Sequence, residues 1–206
     1  DNDYEGGGGG WQDDLLNDET YAKILADAKS GKFDAIIVAF PCTTFSISRL
    51  FPANVTNGVV DPDKSPGPPI VRDHDNPDGL PEEQINPANR KELREANRLL
   101  ERTVDILVAA RKSVKRTTLI FEGPADRAVT GRPAHSPKLA SAASIFNTTA
   151  FERLRATAGP SSSCTFAQCR LGGDYQKYTT LWYTNDAATV LDRLDRPEYQ
   201  CNHPPK

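Results

Sequence analysis

The sequence predicts an α/β fold in which a sheet is layered by helices. Two short apolar runs, residues 33–40 and 117–121, have the length and β-branched content of buried strands. An amphipathic stretch, residues 88–112, separates them, with Leu93, Ala96, Leu100, Val104, Leu107 and Val108 on one stripe and Arg and Glu on the other side. Two further strand-like segments, 164–168 and 179–183, flank a turn through Gly172-Gly173-Asp174 and read as a C-terminal antiparallel hairpin.

Taken in order, residues 1–17 form a Gly-rich acidic lead-in. The five glycines Gly6 to Gly10 stand among acidic residues and carry no side chains to offset their ordering entropy, so the segment is expected to be flexible. Nothing strand-like precedes them, which excludes a dinucleotide phosphate loop. Asp18 is a good N-cap for a first helix carrying Tyr21, Ile24, Leu25 and Ala28, stopped by Gly31. The run 33–40 reads as a central parallel strand buried on both faces and ended by Pro41. Residues 50–87 hold eight of the sixteen prolines and read as a long loop, of a kind that serves as a lid or a partner surface. Pro137 behind Ser136 opens a short helix over 138–146, a second helix covers 149–158 up to Gly159-Pro160, and 187–194 holds a last helical turn or two. The α/β domain thus spans 18–195, with 196–206 as a C-terminal tail.

Composition narrows the function classes. The chain has 206 residues, a net charge of −3 and four cysteines, and a mean hydropathy of −0.56. No apolar run approaches the roughly 18 residues of a spanning helix, so a membrane span is not expected. Cys42, Cys164, Cys169 and Cys201 form no C-x-x-C pair and are too sparse for a disulfide scaffold, which suggests a reducing, intracellular compartment, nuclear or cytoplasmic. The absence of methionine and the start at Asp1 read as a piece of something longer. Residues 1–87 carry 6 Lys or Arg against 16 Asp or Glu, and residues 88–206 carry 19 against 12. A basic second half suits phosphates; equally, the two halves attract each other.

In an open α/β sheet the ligand crevice lies at the carboxyl ends of the strands. Those ends carry Pro41-Cys42-Thr43-Thr44-Phe45-Ser46, then Glu122-Gly123-Pro124, then Gln168-Cys169-Arg170, with Tyr175-Gln176-Lys177-Tyr178 after the last turn. A cysteine held just beyond a strand is placed to act as a nucleophile through its thiolate.

These residues resemble the DNA (cytosine-5) methyltransferases. Asp34-Ala-Ile-Ile-Val-Ala-Phe-Pro-Cys-Thr-Thr-Phe-Ser46 follows the family's prolyl-cysteine motif, with Thr43 where a Gln often stands. Phe121-Glu122-Gly123-Pro124 is similar to its Glu-Asn-Val strand end, with Gly for Asn. Its Gln-x-Arg-x-Arg signature has two partial matches, Gln168-Cys-Arg170 and Gln176-Lys-Tyr178, the latter without either arginine. The resemblance implies a Rossmann-like methyltransferase sheet and S-adenosylmethionine as methyl donor. It implies Cys42 as the nucleophile that attacks cytosine C6, with Glu122 at the N3 edge. Ser46, Gln168, Arg170, Gln176 and Lys177 would meet the substrate nucleic acid, and Asp34 and Pro41 the cofactor side. The family's Phe-x-Gly-x-Gly cofactor loop has no counterpart upstream of Asp34, so the fold is expected to be truncated at its N-terminal half. The resemblance covers about residues 18–185. A looser similarity links Phe121 to Arg127 with segments of mobile-element polyproteins.

Each role has a plainer counterpart. Cys42 can be a structural cysteine, Glu122 can cap a helix or pair with Arg127, and Arg170 and Lys177 can be solvated charges. The second function class is therefore an inactive structural or partner-binding module that keeps the fold and uses loop 50–87 as a protein-partner surface. Cys201 and His203 with Cys164 and Cys169 suffice in number for zinc, but their spacing matches no common zinc pattern, so no metal is assigned. His74 and His135 are expected to face solvent, and Trp182 and Tyr183 to pack in the core.

Overall fold

A computed structural model of the chain describes residues 13–51, 53–56, 59–173 and 177–202. The glycine-rich lead-in as far as residue 12, Gln176 and His203 lie outside the described residues.

The fold is mixed α/β, with a four-stranded mixed sheet and four α-helices among the described residues. The strands are β1 (Ala35–Ala39), β4 (Thr118–Pro124), β5 (Ser161–Ala167) and β6 (Tyr178–Thr184), arranged in the order β1-β4-β6-β5. β1 and β4 run parallel, whereas β6 is antiparallel to both of its neighbours. A separate two-residue pair, β2 (Val55–Thr56) with β3 (Val59–Val60), makes a small hairpin inside the proline-rich segment.

Helices α1 (Asp18–Lys29), α2 (Pro87–Lys112) and α3 (Thr149–Ala158) cover one face of the sheet. α1 is capped by Asn17, whose Oδ1 accepts the Glu19 amide at 2.9 Å, so the cap stands one residue before the expected Asp18. α2 has Asn86 as N-cap and Pro87 in its first turn, and it buries the predicted stripe through Leu93, Leu100, Val104 and Leu107. From β4 and β6, Leu119, Phe121 and Trp182 project into the same layer. There Phe151 meets Phe121, Phe146 and Trp182 edge-on at 5.1, 5.0 and 5.3 Å. Trp182 is therefore a core residue, as its place in a strand predicts. Over β5 and β6 the other face is closed by residues 185–195, including the one-turn α4 (Ala188–Leu191), where the buried Tyr183 hydroxyl donates to Asp192 Oδ1 at 2.5 Å.

Two sequence expectations change. β1 is not a central strand buried on both faces: among the described residues it is an edge strand paired only to β4, and its residues alternate between half-buried and exposed, with Ile37 72% exposed. Residues 138–146 do not form a helix but two separate 3-10 turns, Pro137–Leu139 and Ile145–Asn147. The Ser141 carbonyl, which a helix would offer to Ile145, instead accepts the His74 amide at 2.9 Å.

The proline-rich loop is partly a brace. Val71 and Ile85 bury against Leu93 of α2, and Asp78 accepts the amide and hydroxyl of Thr149 at the start of α3. Acidic side chains of the first 87 residues also pair with basic ones of the remainder, as in Asp18 with Arg98 and Arg102, Asp34 with Lys115, and Arg49 with Glu92 in the reverse sense. The charge asymmetry thus serves at least in part to hold the two halves together.

Candidate functional site

β1 and β4 lie in parallel register with Ala39 opposite Glu122. Adjacent strands are about 4.8 Å apart, and Cys42 follows Ala39 by three residues of chain reach. Cys42 therefore lies no farther than about 16 Å from Glu122, Cα to Cα. Both sit at the same end of the sheet, where the proline break at Pro41 turns the chain out of β1.

Cys42 has φ −94° and ψ 12°, in the sparsely populated bridge region, and its carbonyl accepts the Phe45 amide at 2.9 Å to close the 3-10 turn Thr43–Phe45. Two arginines hold that turn. The Arg72 guanidinium lies 4.1 Å over the Phe45 ring and donates to Pro77 O and Asn97 Oδ1, both at 2.8 Å. Burial pushes its pKa down to about 10, which leaves it charged at neutral pH. Arg49 donates to the carbonyls of Thr43 and Pro69 at 2.7 Å each and ion-pairs with Glu92. The cysteine thus sits on a rigid mount, itself half-buried and in no disulfide.

Glu122 projects from β4 onto the open face, beside Ala39. Its partner is neither Arg127 nor a helix end but Lys177, whose Nζ lies 3.6 Å from Oε1. Lys177 is placed there by the hairpin, since its carbonyl accepts the Gln168 amide at 2.8 Å. The Gln168 side chain donates to Thr179 Oγ1 at 3.0 Å. Glu122, Lys177 and Gln168 are therefore brought together at the sheet end that β1 and Cys42 approach; among the described residues no hydrogen bond joins Cys42 to Glu122.

Other predicted residues go elsewhere. Ser46 caps its own turn, accepting the Ser48 amide at 3.3 Å. Arg170 donates to Glu198 O and Asn202 Oδ1, turned toward the C-terminal segment. Pro41 stays at the Cys42 end of β1, but Asp34 precedes the strand at its opposite end, where it is highly exposed and paired with Lys115 at 2.6 Å. His74 is exposed as expected, whereas His135 is half-buried with Nδ1 3.0 Å from the Arg127 carbonyl. Cys164 is buried, which pushes its thiol up to about 11. Among the described residues no group of His, Cys, Asp and Glu could hold a metal ion, and no helix is long and apolar enough to cross a membrane.

Sequence reasoning missed the clamp of Arg49 and Arg72 and the reason for Gly123. A Cβ on Gly123 would lie 2.8 Å from Ile145 Cγ2 and 3.1 Å from the Phe146 ring, so the 3-10 turn Ile145–Asn147 packed on β4 leaves room only for glycine where the resembled family has Asn. Also unforeseen is a cavity of about 320 Å³ on the helix-covered face, between Trp182, Thr180 and Thr165 of the sheet and Asp126, Asn147 and Arg155. It includes neither Cys42 nor Glu122, so the candidate site is an open strand-end surface and not the cavity.

No protein-family model, curated protein or solved structure matches the chain. The class defined by the fold is a mixed α/β domain, and function has to be argued from the strand ends themselves.

Proposed function

We propose that this chain is the substrate-side half of a cytosine-5 methyltransferase-like, Rossmann-like sheet, one that binds a cytosine of nucleic acid and adds Cys42 to it. The observation that carries the reading is the parallel register of Ala39 with Glu122, which brings the prolyl-cysteine turn and the strand-end glutamate to one end of adjacent strands.

The chemistry follows from that placement. The Cys42 thiolate forms a bond to cytosine C6, and the ring electrons move to C5. The Glu122 carboxyl faces the N3 and amino edge, where hydrogen bonding stabilises the charge that develops on the ring. Lys177 supplies a cationic donor for O2 in place of the missing arginines. A cytosine in a duplex reaches such a surface only by leaving the stack.

Neither residue expected on the cofactor side supports S-adenosylmethionine binding. Asp34 is at the far end of β1 and is taken by Lys115, and Pro41 has no backbone donor. Methyl transfer is accordingly not assigned to this chain. What addition alone accomplishes is exchange at C5: the adduct takes a solvent proton on C5, loses the original hydrogen and expels the thiolate.

The test is proton NMR of a single-stranded cytosine oligonucleotide in heavy water. Loss of the cytosine H5 signal with the native chain and its retention with Cys42→Ser is the expected result. Retention with both, or equal loss with both, removes the nucleophile role. Retention with both favours the second reading, a non-catalytic partner-binding module from a larger polyprotein. That reading draws on the exposed Phe51, Val59 and Val60 in and beside the small hairpin of the proline-rich segment.

A further inference from the structure

Two cysteines share one patch beside the β5–β6 turn. Cys169 lies in the 3-10 turn Gln168–Leu171 and Cys201 in the C-terminal segment bonded to that turn, their chain neighbours Arg170 and Asn202 being hydrogen-bonded to each other. Both pack on the patch formed by Ala125, Ala134, Ala167 and Tyr178. The surrounding bonds tie the two segments together. Arg170 donates to Glu198 O at 2.9 Å and to Asn202 Oδ1 at 3.0 Å, and Gln200 Nε2 donates to Thr165 O at 2.8 Å.

Both sulfurs belong to partly exposed residues and neither is in a disulfide, whereas Cys164 is 1% exposed and Cys42 stands on a different turn. A disulfide needs close Cβ atoms and little backbone movement, and two cysteines packed on one patch, on segments already tied together by hydrogen bonds, favour both.

We infer that Cys169 and Cys201 form a reversible redox site, closed by exchange with a small-molecule disulfide such as oxidised glutathione. One protein thiolate attacks a sulfur of the external disulfide, expelling one glutathione thiolate and leaving a mixed disulfide. The second protein thiolate then attacks the protein-bound sulfur and expels the other glutathione. Two protein thiols lose two protons and two electrons, and one external disulfide becomes two thiols. The bond pins residues 196–202 to the turn whose Gln168 amide holds Lys177, so the redox state of the pair reaches the candidate site through one hydrogen bond. The assignment is independent of the cytosine reading.

The test incubates the full chain with millimolar oxidised glutathione and maps peptides without reduction. Expected is a Cys169–Cys201 linked peptide pair, two hydrogens lighter than the sum of its parts and released by dithiothreitol. C169S and C201S should each leave a stable glutathione adduct on the remaining partner. Native-state trypsin cleavage after Arg193 should slow several-fold in the oxidised chain. Separate glutathione adducts on both cysteines of the native chain, or linkage of either one chiefly to Cys42 or Cys164, would overturn the assignment.

Discussion

β6 and β1 belong to one sheet, and both are rich in apolar or β-branched residues, yet their fates differ. β6 is flanked by β4 and β5 and is buried along nearly its whole length, under helices on one face and residues 185–195 on the other. β1 has one partner and one covered face, and it leaves Ile37 72% exposed. The difference shows that strand burial is set by position in the sheet and not by the run of residues itself. The candidate chemistry collects at the less finished side, where Pro41 and Cys42 leave β1 and Glu122 lies on the open face.

The largest effect is expected on the covered side. Phe151→Ala, in the aromatic cluster with Trp182 of β6, should cost about 3–5 kcal/mol in urea unfolding, the range for deleting a buried aromatic ring. A loss under 1 kcal/mol would mean that this face is not the main core. Gly123→Ala probes the seam between the two sides. Its Cβ would press on Ile145 and Phe146, so it should cost about 1–3 kcal/mol by overpacking.

A pH titration separates the two strands further. Burial and the Asp192 hydrogen bond raise the Tyr183 pKa, and burial raises Cys164 to about 11. An acid whose folded pKa is raised contributes stability in full below its unfolded value. For Cys164 that contribution is lost as pH rises from about 8.5 toward the folded value. Denaturant midpoints should therefore fall steadily above about pH 8.5, and Cys164→Ala should flatten the fall; a flat native profile would contradict the burial of β5 and β6. The smallest effect belongs to β1: Ile37→Thr should change stability by no more than about 0.5 kcal/mol. A large loss there would mean that the open face is covered after all.

Much of this architecture is legible in the sequence because local signals agree with the fold. α2 and α3 carry clear caps and stripes, and β5 and β6 form the expected antiparallel pair, with Gly172 in the left-handed conformation after β5. Three features depend on distant partners and leave no local trace. β1 loses its central place because nothing among the described residues pairs with its outer edge. Residues 138–146 give up a helix to the His74 amide, 67 residues before Ser141. The loop 50–87 looks structureless, yet its Arg72 clamps Phe45 beside the candidate nucleophile. Within the site, Cys42 and Glu122 could be nominated from their strand ends, and so could Lys177. That Lys177 pairs with Glu122, while Arg170 turns to the C-terminal segment, depends on the hairpin's register.

The most direct test of the account is covalent capture at Cys42. An oligonucleotide with 5-azacytosine, whose ring is more electrophilic at C6, is incubated with the native chain and the adduct is mapped by mass spectrometry. The account predicts a single adduct on the Cys42 peptide, absent in Cys42→Ser and strongly reduced in Glu122→Gln. No adduct, or one on Cys169 or Cys201, would contradict it.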